Sequence, residues 1–573
     1  MPESMNYQYE CSSSVLRDWK NNGELLQKAI SAYRESCQSV AALASSNDAE
    51  AQMLATQLDH SIANMYPKLG EELVRSRSHL ALARNRTLSR FQSLPNEIIR
   101  LIFKDVVYAP APGDRRCPTM AKALETMCSR LIGLMSVCSS WRDIGLNSSE
   151  LWSFIPLCGH PQTRSLHSKT YSFLERALAL TYNNRPLHLV TSPSPWQLAR
   201  LPVMTGNVPP RFTSINIEGS ERQIFDLIAS LIQYPTHTAL SELSIHQVGY
   251  ARNRREPHQP RIPSKRLTFG PKDEAFRSLI GSLSTLRVSG ANLMWDQIAF
   301  SQKLVELRVQ SVVLGHCHSA LPNFARVLQS APELQDLKII GVVALPDPDE
   351  DLPSETPLEM VSFPKLKFLL LEDLDFTVLS FFLRSIAPGS HHVKLFLTFK
   401  ALQILEEHGH PTEAHIETLF ELLEESTIDT LILQGHLDDE RMWLDDLSLY
   451  NIIASLPTLS TLKMANWKFS GEGLLALASS ECEDTDDVCA RFPSLSHMTL
   501  IGCIVGPTDL PILLDAVASH PLQSLEIGPF GVVDTASPTF ELIKQLKTMV
   551  PNFREARTAF DSEDFAQNVW QLW

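Results

Sequence analysis

The chain has 573 residues, of which 44% are hydrophobic and 20% charged, which is typical of a folded protein with more than one domain. A formal net charge of −15 argues against general affinity for nucleic acid or an anionic membrane. Ten cysteines without a CxxC pair favour reduced thiols in the cytoplasm or nucleus. The sequence has no long apolar run and no basic, apolar N-terminus, so we expect neither a membrane-spanning segment nor a secretory signal.

Residues 1–91 are predicted to form amphipathic helices. One apolar stripe runs from Leu26 to Val40 and another from Leu58 to Leu80, both at helical spacing. We expect breaks at residues 21–23, at residues 45–48 and at Pro67. Two interpretations remain open, because the heptads are short and interrupted. The helices form a coiled coil for self-association, or they fold on each other or on the next zone.

Residues 92–157 contain two short apolar patterns separated by a segment with proline and glycine. Residues 94–103 read LPNEIIRLIF, in which Ser93 can cap a helix and Pro95 suits its first turn. Apolar periodicity resumes at Leu131 and ends at Leu151-Trp152. Two or three short helices bury too little surface to be stable alone, so they must dock on this chain or on a partner.

This pattern resembles an F-box, with Leu-Pro-x-Glu-Ile, then Val-Cys-x-x-Trp-Arg, then a terminal Leu-Trp. The matching positions are Leu94, Pro95, Glu97, Ile98, Ile102, Phe103, Val137, Cys138, Trp141, Arg142, Leu151 and Trp152. The gap between the first two parts is longer than in the family, which predicts an inserted loop at about residues 104–128. The resemblance implies that the helices dock on the Skp adaptor subunit, and through it on a cullin of a ubiquitin ligase. The rest of the chain would then recruit an unknown target protein.

Between residues 206 and 550 the pattern apolar-x-x-apolar-x-apolar recurs, as in LVELRV at 304 and LSTLKM at 459. Its last three positions alternate as a short strand requires, and helical stripes lie between the copies. One strand and one helix cannot bury their own apolar faces, so the units must stack. The pattern is similar to leucine-rich repeats.

The predicted fold class is therefore α/β, a leucine-rich-repeat-like solenoid preceded by an all-α F-box and N-terminal helices. Residues 158–205 are predicted to be a linker and cap, and residues 551–573 a C-terminal tail. A doubly wound α/β fold is the competing possibility, but it would need longer and fewer strands.

A target-binding surface is predicted on the concave face of the solenoid. Side chains between the inward leucines face that surface, and successive strands lie about 4.8 Å apart. The register predicts an exposed apolar patch of Phe368, Leu370, Phe396 and Ile432, with a rim of Arg308, Lys338, Lys394 and Lys463. Such a patch favours a partner segment with apolar residues and acidic flanks. Alternatively, an internal loop or the C-terminal tail at residues 569–573 covers it.

Catalytic and metal-binding motifs are absent from the sequence. Residues 316–318 (HCH) and 408–410 (HGH) lack a second ligand pair at a known spacing, so we expect no metal and no cofactor. The basic segment 251–266 is read as a solvated loop, with a nuclear address or an acidic-partner site as the alternative.

We therefore expect a non-catalytic adaptor that binds the Skp subunit and a target protein. The alternatives are a non-ligase scaffold whose helical trio packs internally and an enzyme with an unrecognised site.

Overall fold

The computed structural model describes most of the chain in two units, Met1–Pro95 and Asn96–Trp573. The described residues are 3–42, 48–88, 94–109, 119–158, 187–192, 212–232, 240–248, 273–347, 360–406, 411–435, 442–478, 492–528, 531–532, 538–556 and 570. Within these ranges no helix has the length and apolar character needed to cross a membrane.

The first unit contains long helices. Helix α1 spans Glu3–Ala41, and a second rod consists of α2 (Asp48–His60), a π-helical turn (Ser61–Met65) and α3 (Tyr66–Leu88). The predicted break at residues 45–48 coincides with the gap between α1 and α2, of which residues 43–47 lie outside the described ranges.

Two other predicted breaks are wrong. Helix α1 continues through residues 21–23, since a single glycine costs a helix only about 1 kcal/mol. Pro67 directly follows the π-helical turn, and the rod continues through it as α3.

The second unit begins with three helices and a short 3-10 turn. They are α4 (Asn96–Tyr108), α5 (Met120–Met135), α6 (Ser139–Asn147) and the turn Ser149–Trp152. The predicted loop at 104–128 is helical at both ends, because Val107 and Leu124 continue the buried stripes of α4 and α5. Of that loop, residues 110–118 lie outside the described ranges.

One 14-stranded sheet follows, in which every neighbouring pair is parallel and the strands lie in chain order. The strands are β1 (Phe154–Cys158), β2 (Leu187–Ser192), β3 (Phe212–Gly219), β4 (Glu242–Gln247), β5 (Thr285–Ser289), β6 (Glu306–Gln310), β7 (Asp336–Ile340), β8 (Phe368–Glu372), β9 (His392–Leu397), β10 (Thr430–Gln434), β11 (Thr461–Ala465), β12 (His497–Ile501), β13 (Ser524–Ile527) and β14 (Asn552–Glu555). Sequential parallel order is the topology of a solenoid, so the α/β, leucine-rich-repeat-like fold is confirmed. The sheet also extends further than the predicted range 206–550, since β1, β2 and β14 lie outside it.

Helices and short turns connect the strands. The helices are α7 (Glu221–Ile232), α8 (Asp273–Ile280), α9 (Cys317–Gln329), α10 (Phe376–Ser385), α11 (Ile416–Glu424), α12 (Asp446–Ala454), α13 (Gly471–Leu475), α14 (Leu510–Ala518) and α15 (Pro538–Met549), with 3-10 turns at Trp295–Gln297 and Phe399–Leu402. Minor strand pairs join Val313–His316 to Val343–Leu345, Ile504–Val505 to Gly531–Val532, and Gln403–Ile404 to Thr412–Glu413. From α9 to α15 each helix contacts the next, so the helices form a second layer against the sheet.

The residue that follows a strand has a recurring backbone conformation. Gly290, Gly341 and Gly502 have φ between 53° and 68°, and Asp373 and Asn466 have φ of 55° and 53°. This left-handed region favours glycine and admits aspartate and asparagine. Each of these positions ends a strand and turns the chain towards the helical layer, which explains the glycines that stand after several sequence motifs.

The first prediction compares two leucines of α12. Leu449 is 1% exposed and Leu447 is 69% exposed. We expect Leu449→Ala to lower the free energy of unfolding by about 2–5 kcal/mol, because it leaves a cavity between the helices and the sheet. We expect the matched Leu447→Ala to change it by less than about 0.5 kcal/mol. Urea unfolding followed by circular dichroism measures both, and equal losses would contradict the assigned helix orientation.

Candidate functional site: a helical face and a concave groove

The F-box-like residues divide into a packed set and an exposed set. Phe103, Leu151 and Trp152 are buried, Leu94, Ile102, Cys138 and Trp141 are half-buried, and Pro95, Glu97, Ile98 and Val137 are exposed. The rings of Phe103 and Trp141 lie 5.1 Å apart, edge to face, and Trp152 Nε1–H donates a hydrogen bond of 2.9 Å to the carbonyl of Gly145. These contacts hold α4, α6 and the 3-10 turn together.

Several large apolar side chains of these helices and of the turn between α5 and α6 face solvent. Ile98 is 42% exposed and Val137 is 60% exposed. Leu101 (55%) and Ile132 (40%) are also exposed, although the sequence reasoning did not single them out. Ile98 and Leu101 are three residues apart on α4 and so lie on one side of the helix, which is an apolar surface available to a partner.

The helices contact the N-terminal end of the sheet. The ring of Tyr108 at the end of α4 lies 5.3 Å from that of Phe154 in β1, and Phe154 stacks on His188 of β2 at 4.9 Å. Burial raises the pKa of Tyr108 to about 12, so this phenol stays protonated near neutral pH. The helical face and the solenoid therefore form one connected structure.

A row of cations crosses the concave face at the third strand position. Arg287, Arg308 and Lys338 are adjacent in register on β5, β6 and β7, and Leu370 of β8 separates them from Lys394 of β9. Adjacent strands place these charges about 4.8 Å apart, so they would repel one another without counter-charges.

Acidic residues at the first strand position supply the counter-charges. Arg287 Nε donates to Glu306 Oε1 at 2.7 Å, and Lys338 Nζ donates to Asp336 Oδ2 at 3.0 Å. Arg308 Nη2 donates to Gln310 Oε1 at 2.8 Å, and burial lowers its pKa. Arg308 and Lys338 are thus engaged within the face and do not form the open basic rim that the sequence predicted.

The predicted apolar patch is not exposed. Leu370 is 8% exposed, Phe396 1% and Ile432 0%, and Phe396 and Ile432 belong to a buried cluster with Ala465 and Ile501. Phe396, Ala465 and Ile501 lie at or next to the carboxyl ends of their strands, and Ile432 is the central residue of β10, in register with Phe396. Phe368 alone of the patch is half-buried, and its ring lies 5.7 Å from Lys338 Nζ.

An open groove of about 930 Å³ occupies the concave face further along the sheet. It is lined by Phe368, His392, Lys394, Asp429, Thr430, Thr461, Lys463, His497, Thr499, Ser524, Leu525, Glu526, Pro551, Asn552, Phe553 and Arg554. Three predicted target-binding residues, Phe368, Lys394 and Lys463, line it, while the other five do not. The groove has the size of a ligand site, and it runs across strands β8 to β14.

The groove carries both charges and two aromatic rings. Asp429 Oδ2 accepts a hydrogen bond from the backbone N–H of Val393 at 2.8 Å and lies 3.3 Å from His392 Nδ1. Glu526 Oε1 lies 3.3 Å from Arg554 Nε. The groove therefore contains the cationic side chains of Lys394, Lys463 and Arg554 together with the carboxylates of Asp429 and Glu526.

Sequence reasoning missed the far end of this groove. His497 and Glu526 lie on motif copies that the sequence displays, so continuing the concave register by two strands would have found them. Phe553 and Arg554 lie on β14, whose sequence NFRE has no leucine pattern, and no local signal marks them.

Trp570, the one described residue beyond position 556, contacts the opposite end of the concave face. Trp570 is 4% exposed, and its Nε1–H donates to Asn216 Oδ1 at 2.6 Å. The indole stacks on His246 at 5.1 Å, and its backbone carbonyl accepts from Met120 N–H at 2.9 Å. Trp570 therefore contacts β3, β4 and the start of α5, and it does not cover the mid-sheet patch. The other residues of the predicted cover, 569 and 571–573, lie outside the described ranges.

One cluster could be read as a metal site. The donor atoms of Cys317, His318 and Asp347 lie within 4.8 Å of one another. Asp347 Oδ2 accepts hydrogen bonds of 2.9 Å from both Cys317 Sγ and the backbone N–H of His318, and so caps the first turn of α9. Burial and then the hydrogen bond to Asp347 raise the pKa of Cys317 to about 11, which keeps it a thiol. These hydrogen bonds explain why the three side chains lie close together. The other histidine pair considered from the sequence, in residues 408–410, lies outside the described ranges.

The second prediction concerns the Trp570 contact and pH. Burial, and then the nearby Arg308, lower the pKa of His246 to about 4 from its ordinary 6.5. A lowered histidine pKa stabilises the fold fully above pH 6.5, and that stability is lost as the pH falls towards 4. We expect Trp570→Ala to lower the free energy of unfolding by about 1–3 kcal/mol at pH 7.5, and by less at pH 5.

The control for this prediction is the His246→Gln background. In that background Trp570→Ala should lower the free energy of unfolding by the same amount at pH 7.5 and pH 5, as measured by urea unfolding. If Trp570→Ala in the wild-type background lowers the free energy of unfolding by more at pH 5 than at pH 7.5, the result contradicts the stacking of Trp570 on a neutral imidazole.

Comparison with known proteins gives no family. No family model matches the chain, and no curated protein matches it. Among solved structures, the chain is similar to a chain in the crystal structure of the Rad7 and Elc1 complex in yeast. The two are 12% identical, the TM-score is 0.31, and the match covers 80% of this chain and 95% of that chain. It is also similar to one from the crystal structure of the TLR13–ssRNA13 complex, at 15% identity and a TM-score of 0.29, over 61% of this chain but only 46% of that one. At this level of similarity the fold assignment rests on the strand order and register described above.

Proposed function

We propose that this protein is a non-catalytic substrate-recognition adaptor of a Skp–cullin–F-box ubiquitin ligase. Helices α4–α6 would bind the Skp subunit, and through it a cullin, while the concave groove would hold the target protein. The observation that carries the proposal is the exposure of Ile98 and Val137, two F-box-like positions, on a helical unit in which Phe103, Trp141 and Trp152 hold the helices together. Ile98 and Leu101, three residues apart on α4, give this unit an apolar surface of the kind that a protein partner covers.

The mechanism would be proximity rather than bond chemistry. The helical face adjoins β1, and the groove begins at β8, so seven strand steps of about 4.8 Å separate them along the sheet. An adaptor of this kind raises the effective concentration of a target near the ubiquitin-loaded enzyme. A rigid sheet between the two surfaces would fix their separation.

A second function, a scaffold outside any ligase, is favoured by a specific observation. Phe103 is 0% exposed and Trp152 is 2% exposed, so part of the helical trio does pack internally. This alternative predicts that Ile98 and Val137 have no Skp-dependent role. Of the helical face and the concave groove, only the groove would then bind a partner.

The third prediction tests Skp binding with the full chain. We expect isothermal titration calorimetry to give a dissociation constant in the micromolar range or tighter. Ile98→Asp and Val137→Asp should each weaken binding at least about tenfold, since each places a charge in an apolar contact. The matched control is Val248→Asp, because Val248 is 46% exposed and lies in the solenoid just after β4.

The outcomes separate the two functions. Binding that is lost in the first two variants and kept in the control supports the adaptor. No binding by folded wild-type protein, or equal binding by all four proteins, would reject it and favour the scaffold.

The fourth prediction tests the groove. A target segment with apolar and acidic residues would place its carboxylates near Lys394 and Lys463 and its apolar side chains near Phe368 and Phe553. We expect Lys394→Glu/Lys463→Glu to abolish target capture in a ligase pull-down while Skp binding is unchanged. Lys303→Glu/Lys468→Glu, at two exposed positions outside the groove, is the charge-matched control. Capture that survives the double variant would place the target site elsewhere.

The apolar arm of the same test uses Phe368→Ala/Phe553→Ala. Phe396 is not a suitable position, because it is 1% exposed and its replacement by a charged residue would disrupt the buried cluster. Weaker capture at unchanged thermal stability is the expected result.

A further inference from the structure

The first unit has an apolar seam that it cannot bury by itself. The Tyr33 and Tyr66 rings lie 6.3 Å apart, and Cys37 Sγ lies 3.9 Å from the Tyr66 hydroxyl, so the stripe of α1 meets the second rod near its middle. Yet among the residues of this unit whose burial is described, none is buried. Leu26, on the same stripe as Tyr33, keeps 48% of its surface exposed.

The exposed side chains of the second rod follow a regular spacing. Ile62, Tyr66, Leu69, Leu73 and Leu80 are separated by four, three, four and seven residues and are 46–62% exposed. A spacing of this kind produces a continuous apolar stripe along a helix, as in coiled coils and four-helix bundles. Two helices can cover one side of such a seam, and a second layer about 10 Å away is needed to cover the other.

The charges of the unit favour a second copy as the missing layer. Residues 1–95 contain ten acidic and ten basic residues, so the unit is neutral and the remaining residues carry the whole net charge of −15. The charges are also unevenly placed along the second rod. Its first half, residues 48–65, has three acidic and no basic residues, whereas residues 66–88 have five basic and two acidic residues. Two such rods attract each other when they lie antiparallel.

We propose that the first unit is a self-association module, in which two copies pair with their second rods antiparallel and bury their stripes in a four-helix bundle. A crossing point near Lys68 places Asp59 of one copy beside Arg77 of the other, because each is nine residues from Lys68. Both side chains are exposed. The pairing is isologous, so each copy contributes the same contacts twice. An interface of ordinary size buries about 800 Å² on each partner, which about ten half-exposed large apolar side chains can supply.

The proposal is tested on the full chain by sedimentation equilibrium. Wild-type protein should have twice the 64.2 kDa chain mass at micromolar concentration. Leu69→Asp/Leu73→Asp should sediment as a monomer. Val74→Asp is the matched control, because Val74 is 65% exposed but lies off the stripe, and it should remain dimeric.

A pair of charge reversals tests the dimer without depending on how stably α1 and the second rod fold together. Asp59→Arg and Arg77→Asp should each weaken dimerisation at least about tenfold at low salt, and the double variant Asp59→Arg/Arg77→Asp should restore it. Monomeric wild-type protein would overturn the proposal, as would a dimer that survives Leu69→Asp/Leu73→Asp. If the double charge variant dimerises no more tightly than the single variants, the antiparallel arrangement is overturned. None of these outcomes depends on Skp binding.

Discussion

The solenoid depends on the stacking of two buried side chains from each strand. In β6 these are Leu307 and Val309, which lie in register with Leu337 and Ile339 of β7, and all four are 0% exposed. Burial of apolar surface stabilises by about 25 cal/mol per Å², and each strand repeats the gain against its neighbour. Because this inner layer carries the stability, the opposite side of each strand is available for polar residues. The cation row and the groove both occupy that side.

The sequence reveals the repeating strands because their signal is local. A leucine pattern of five or six residues defines both the strand and its buried side. Strands β1 and β2 lack the pattern, and they belong to the sheet because β3 offers an edge on which to pair. The exposure of a side chain is harder to predict from the sequence. The alternating pattern assigns Phe396 to one side of its strand, but it does not tell what packs over that side. The contact between Trp570 and Asn216 joins residues 354 positions apart, and nothing local predicts it.

The concave face has two halves with different electrostatics. From β3 to β7, Arg287 and Lys338 pair with carboxylates of their own face, and Trp570 occupies the surface of β3 and β4. From β8 to β14 the face opens into the groove, where hydroxyl, imidazole and ammonium groups line the surface. Ion pairs and Trp570 thus occupy the N-terminal half of the face, whereas the groove lies in its C-terminal half.

The last described strand of the sheet has one edge without a neighbouring strand. A stack of parallel strands has no natural stopping point, and within the described residues a row of backbone groups of β14 faces no further strand of the sheet. The strand has four residues, and Arg554 and Glu555 at its end are exposed and charged. A short, charged edge discourages another chain from adding its own strand there. Among the described residues, a fibre built by stacking such sheets end to end is therefore disfavoured at this edge.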